Sequence, residues 1–331
     1  MPKVAIACQG GGSHAAFAAG VLQRLLAPEH RERFRLVALS GTSGGAVCAA
    51  LVWRGLVASG PDEATQRLLA FWRDLEVHDL LDAIGNFWAV MLARAPITIE
   101  VSPYAYEPPA APRLQALLGV HLDLAHLAAD RARRARPKLL IGATDVLDGD
   151  RVIFQGETLT VEDVIASAAV PPLFRAVRSD DGHLYWDGLF ATNPPVREFT
   201  DLDERPDEIW VVQINPQRRE REPRSMHEIV DRRKELAGNL SLGQELFFVE
   251  TINRLIDKHD ALAARYKRIR VRLVELDGAD LDYPSKIDRG SAIIDTLLDA
   301  GRERAEWFFD ARSQWPRPRT APAKSVVVQR A

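Results

Sequence analysis

Cysteine is nearly absent from the chain. Cys8 and Cys48 are the only two, without the paired spacing of a zinc or redox motif and too few for a disulfide scaffold, so a reducing compartment is the simplest reading. An export leader is missing as well. Met1-Pro2-Lys3 runs straight into an apolar segment and a glycine loop, without the charged, apolar and small-residue stages of a signal peptide, and a cytoplasmic location is expected. Long apolar runs are lacking too: residues 46–53 and 83–93 fall short of the roughly 20 residues a membrane-spanning helix needs. The protein is therefore expected to be soluble or to lie on a membrane surface. With 43 Lys and Arg against 46 Asp and Glu, the net charge is −3, so no overall positive field points to nucleic acid as a partner.

What is present suffices for a large core: 331 residues, 47% of them hydrophobic, allow one large α/β domain or two small ones. Val4-Ala5-Ile6-Ala7 reads as a buried strand, followed by Gly10-Gly11-Gly12 and a helical pattern over 15–26. Leu36-Val37-Ala38-Leu39 is a second strand, running into Gly41-Thr42-Ser43-Gly44-Gly45 and another helix. This βαβα opening predicts a largely parallel sheet. Residues 62–76 and 79–93 read as helices, the second with Leu80, Ile84, Phe87, Trp88 and Met91 at helical spacing. Such a stripe ordinarily packs on a core, and that is the favoured expectation. The alternative is a lid element that lines an acyl pocket or touches a membrane.

The Pro-rich piece 96–112 reads as a long loop of the kind that forms lids. Strands follow at 139–142 and 151–154, then a helix capped by Thr160, a strand-turn-strand over 176–187 and a strand at 209–214. Beyond 215 the pattern turns to charged helices over 226–265, a strand at 269–276 and a helix over 288–314, with a loosely ordered tail over 315–331. The expected organisation is a catalytic core over 1–215 with a lid-like insertion about 77–135, then a mainly helical extension over 216–314 packed on the core. Arg131-Ala132-Arg133-Arg134 and the tail arginines read as solvated surface.

Gly41-x-Ser43-x-Gly45 between a strand and a helix fits a nucleophile elbow, in which small neighbours allow a sharp turn that exposes the serine hydroxyl. An ordinary tight turn is the competing reading. The glycines at 10–12 also fit a dinucleotide fingerprint, but that site needs an acidic residue about 20 positions on, at the end of the second strand. Leu39-Ser40-Gly41 stands there, and no Gly-Lys-Ser/Thr follows the glycines to make a P-loop. An oxyanion loop remains, its donors contributing ~3 kcal/mol each to a transition state. A serine needs a base. His183 sits in a hairpin and His227 and His259 in charged helical segments, whereas Asp187-Gly188 closes a strand beside Tyr185 and Trp186, where desolvation would raise its pKa. A plain turn is the commoner reading of a single Asp-Gly.

Taken together, Gln9-Gly10-Gly11-Gly12-Ser13-His14, Gly41-Thr42-Ser43-Gly44-Gly45 and Asp187-Gly188, with Ala166 to Phe174 before the Asp and Asn193-Pro194 after it, resemble the bacterial branch of the patatin-like phospholipase family over about residues 3–215. The resemblance implies a three-layer α/β/α sandwich with a mainly parallel central sheet. It also implies hydrolysis of fatty-acyl esters of lipids by a Ser43–Asp187 dyad without histidine, metal or cofactor, with peripheral membrane contact compatible with such a substrate. Three departures stand out: His14 where the family has Arg or Lys, Ala15 where it has Gly, and Leu189 where a small residue follows Asp-Gly. A thioesterase or acyltransferase using the same dyad, and a non-catalytic lipid-binding protein, are the alternatives. Head group, acyl position and oligomeric state are not readable.

Overall fold

A computed structural model describes residues 1–94, 101–106, 108, 110–127, 137–180, 182–219, 221–263, 266–277 and 281–310. The arginine run at 131–134, the tail and part of the Pro-rich piece lie outside them. The chain opens as β1 (Lys3–Cys8), α1 (Ala15–Leu25), α2 (Pro28–Arg31), β2 (Arg35–Gly41) and α3 (Gly44–Ala58). It continues through α4 (Pro61–Leu75), α5 (Leu80–Arg94) and α6 (Ala110–Leu122). Then come the hairpin β3 (Lys138–Asp145) and β4 (Arg151–Gln155), α7 (Val161–Ala168), and the hairpin β5 (Val177–Arg178) and β6 (Leu184–Asp187). The last part comprises β7 (Glu208–Gln213), α8 (Met226–Ile256), α9 (Asp260–Ala263), β8 (Arg270–Glu275), α10 (Tyr283–Ile287) and α11 (Ser291–Phe309).

The sheet is mixed, ordered β5-β6-β3-β2-β1-β7-β8 with β4 also paired to β3. Pairs within β3-β2-β1-β7-β8 are parallel, and those of β3 with β4 and β6, and of β5 with β6, are antiparallel. Period-two alternation sends successive β1 residues into different layers. Val4, Ile6 and Cys8 join a core with α1, α3, α4 and α11, while Ala5 and Ala7 join Val196, Phe199, Leu242 and Val249 on the other face. The result is a three-layer α/β/α sandwich. The region beyond 215, expected as a helical extension, supplies α8 to the second face and β8 to the sheet edge beside β7.

Registers explain how distant segments meet. At Leu140 and Ile141, β3 pairs with both β2 and β4, so these occupy opposite edges of β3. At Ala143 and Thr144 it pairs with both β4 and β6, again on opposite edges. β6 therefore runs along the edge of β3 that β2 leaves at Gly41, which brings Asp187 to the end of β2.

Two expectations are corrected. The Pro-rich loop ends earlier than read, since α6 starts at Ala110 and carries Pro112 in its first turn, where a missing N–H costs nothing. The apolar stripe of α5 does not face the core. Leu81, Trp88 and Leu92 are 81%, 58% and 66% exposed, whereas the polar residues Asp82 and Asn86 point inward.

Candidate active site

Strand β2 delivers Gly41 to the elbow and α3 leaves it at Gly44. A Cβ on Gly41 would meet the Gly45 carbonyl oxygen at 2.4 Å, and one on Gly45 the Cys8 oxygen at 2.2 Å, so only glycine fits either flank. Between them Ser43 has φ 55° and ψ −131°, a left-handed φ that costs a non-glycine residue about 1–3 kcal/mol. Serine at a helix N-cap normally bonds the backbone of the first turn. Here it does not cap α3, and its hydroxyl lies instead beside the Asp187 carboxylate, whose charged form it favours.

Asp187 is 2% exposed. Burial pushes its pKa up to about 7, opposed by the neighbouring Ser43 hydroxyl and by a hydrogen bond from the Leu189 N–H at 2.8 Å. A carboxylate so placed is a far better proton acceptor near neutral pH than one in water. Among the described residues no histidine bonds the Ser43 hydroxyl: His183 pairs with Asp145 at 2.7 Å, and His14 with the Ser285 hydroxyl at 2.7 Å. His14 is buried, and desolvation followed by the nearby Lys286 charge pushes its pKa down to about 3, so it is a neutral brace of the glycine loop and carries no charge at neutral pH. Leu189 leans on Gly238 of α8, whose missing side chain makes room for it.

The glycine loop lies against the elbow: a Cβ on Gly10 would come within 2.7 Å of the Ser43 Cβ. Its donors differ from expectation in one respect. The Gly10 N–H donates to Asn193 Oδ1 at 2.8 Å and so is not open to an oxyanion. The N–H groups of Gly11 and Gly12 have no acceptor among the described residues, nor does that of Gly44 at the first position of α3. The Ser43 N–H is also taken, by the Ser167 hydroxyl at 3.0 Å and carbonyl at 3.1 Å. Gln9 pins the loop, accepting from the Ile214 and Asn215 N–H groups and donating to Asn239 at 2.9 Å.

Asn193 and Ser167 are parts of the site that sequence reasoning did not single out. Both lie in stretches that carried the family resemblance, but only the fold shows that one holds Gly10 and the other Ser43. For a metal, Asp145, Asp148 and His183 bring ligand-type atoms within 4.8 Å of one another, but Asp145 already accepts from two backbone N–H groups and His183.

The family model for patatin-like phospholipases matches residues 6–200. No curated protein sequence matches the chain. Among solved structures, VipD from Legionella pneumophila shares 15% identity at a TM-score of 0.39, covering 92% of this chain and 66% of its own. The type III effector ExoU shares 16% at a TM-score of 0.33, covering 92% and 54%. ExoU with SpcU from the Pseudomonas aeruginosa type III secretion system shares 15% at 0.36, covering 94% and 53%. The chain thus spans between about half and two thirds of the length of these structures.

Proposed function

The chain belongs to the patatin-like phospholipase family, and from that premise we propose that it is a serine acyl hydrolase cleaving fatty-acyl esters of lipids through Ser43 and Asp187. The observation that carries this reading is the placement of a serine hydroxyl on a left-handed elbow beside a buried carboxylate whose pKa burial pushes up to about 7. In the first half-reaction Asp187 accepts the Ser43 proton while Oγ bonds to the acyl carbon. The carbonyl oxygen becomes an oxyanion held by the N–H groups of Gly11, Gly12 and Gly44, aided by the N-terminal dipole of α3. Collapse breaks the ester C–O bond, and the departing alcohol takes the proton from Asp187. Water then gives a proton to Asp187 and adds to the acyl-serine, and release of the fatty acid returns the proton to Ser43.

Labelling with a fluorophosphonate probe, read by intact mass, tests the assignment. One adduct is expected on the wild type and none on Ser43→Ala, whose ester turnover should fall by about a thousandfold or more. An adduct that persists on Ser43→Ala places the nucleophile elsewhere, and a folded wild type without any adduct removes the hydrolase reading. Parallel turnover of an ester and its thioester analogue separates a lipid esterase from a thioesterase.

A further inference from the structure

Helix α5 is turned inside out relative to an ordinary surface helix. Its polar side chains face the protein: Asn86 donates to Asp288 at 2.8 Å and accepts the Arg289 N–H at 3.0 Å, while Asp82 is gripped by Arg289 and Arg113. These bonds fix the roll of the helix about its axis. Its outer face then consists of Leu81, Ile84, Phe87, Trp88, Met91 and Leu92, each at least 43% exposed. A continuous apolar face of this size marks a contact surface, not ordinary solvent-facing structure.

Several observations select the occupant. Over residues 80–92 the single charged side chain is Asp82, and it is turned inward, so the outer face offers nothing for a charged protein surface to pair with. It suits an uncharged hydrocarbon boundary, with Trp88 able to place its indole N–H at head-group level. At 15 residues the helix is about 22 Å long, too short to cross a hydrocarbon core of about 30 Å, and among the described residues no helix meets the requirements for crossing. Lying flat in the interface remains.

The face is also joined to the catalytic loop. The turn that holds Asn86 and Asp82 follows directly on α10, whose Ser285 hydroxyl bonds His14 and whose Lys286 carbonyl oxygen lies 2.4 Å from where a Gly12 Cβ would be. One short helix therefore connects the apolar face to the oxyanion loop.

We propose that the outward face of α5 is the surface by which the protein lies on a zwitterionic phospholipid bilayer, seating the glycine loop near the head groups. The purpose of this contact rests on the lipid-hydrolase reading, but the contact can be measured without catalysis. Full-length Ser43→Ala protein is sedimented with large unilamellar vesicles of palmitoyl-oleoyl phosphatidylcholine, with and without Leu81→Ser, Trp88→Ser and Leu92→Ser combined. The three substitutions should weaken vesicle binding by about tenfold or more, and raised salt should leave the parent's binding intact. Because the replaced side chains are exposed, the melting temperature should hold, as should fluorophosphonate labelling of Ser43 in the triple variant that keeps the serine. Vesicle binding that is absent in the parent, or equal in parent and variant, overturns the proposal. So does a parent dimer in sedimentation velocity that the same substitutions dissolve, since the face then covers a second copy. A folded wild type that fails to label, while the Ser43→Ala parent binds vesicles and the triple variant does not, would sink the hydrolase reading and leave the surface standing.

Discussion

In the proposed mechanism Asp187 takes a proton from serine, which needs a basic carboxylate, and burial makes Asp187 basic at a cost to the fold. With a folded pKa of about 7 and an unfolded value near 3.9, the group is protonated in both states at pH 3 and contributes nothing there. As pH rises from about 4 to about 7 the unfolded chain ionises first, so stability is lost across that window and the full penalty, on the order of 4 kcal/mol, holds above it. Asp187→Asn should therefore be inactive yet more stable than wild type at pH 8, with the gain vanishing near pH 3 in urea titrations. Equal stability at pH 8 would mean that the carboxylate is not desolvated. Wild-type turnover of a soluble ester should climb with pH through about 7, as the ionised fraction grows. Ser43, Gly41, Gly45 and Asp187 were all legible in the sequence because elbow and strand end are local patterns. The tie between Gly10 and Asn193 was not, because a hydrogen bond across 183 residues leaves no local trace.

At the scale of elements, caps were the most readable feature. Thr160 and Asp163 close a capping box at the start of α7, as the Thr-x-x-Asp spacing suggests. Helix α5 was read with the right position and stripe but the wrong orientation. Periodicity reports that one face is apolar and is silent on what that face meets; Asp82 and Asn86 turn inward because partners come from residues 288 and 289, far along the chain. The crossing of α1 and α11 was likewise invisible. There a Cβ on Gly301 would lie 2.2 Å from the Phe17 carbonyl oxygen, and one on Gly20 2.1 Å from that of Leu298. Neither backbone can yield without separating the helices, so Gly301→Ala should destabilise the protein by about 1–3 kcal/mol despite alanine's better helix propensity. Chemical denaturation would show it, and a stabilised variant would refute such close packing.

For the whole molecule, the α/β/α sandwich was foreseeable from alternating strands and helices, whereas the contribution of the last third was not. Sequence separates charged helices from an apolar core, but α8 is both: its buried side carries Leu242 and Val249 against the sheet together with Asp231, Glu235 and Glu245. A chain ending at residue 215 would expose Ala5, Ala7, Ile209 and Val211 together with the β7 edge. Such a fragment should fail to give a cooperative thermal transition by circular dichroism; a soluble fragment that melts cooperatively would mark 1–215 as an independent unit. The end of α7 has a different bearing on the assembled molecule. Ser167 holds the Ser43 amide, and two residues on the Ala169 carbonyl holds the Asp187 amide at 3.1 Å. Ser43 and Asp187 thus hang from one mount, like two instruments on one bench. A shift of the end of α7 would carry both residues with it, leaving the distance between them set by that one short segment.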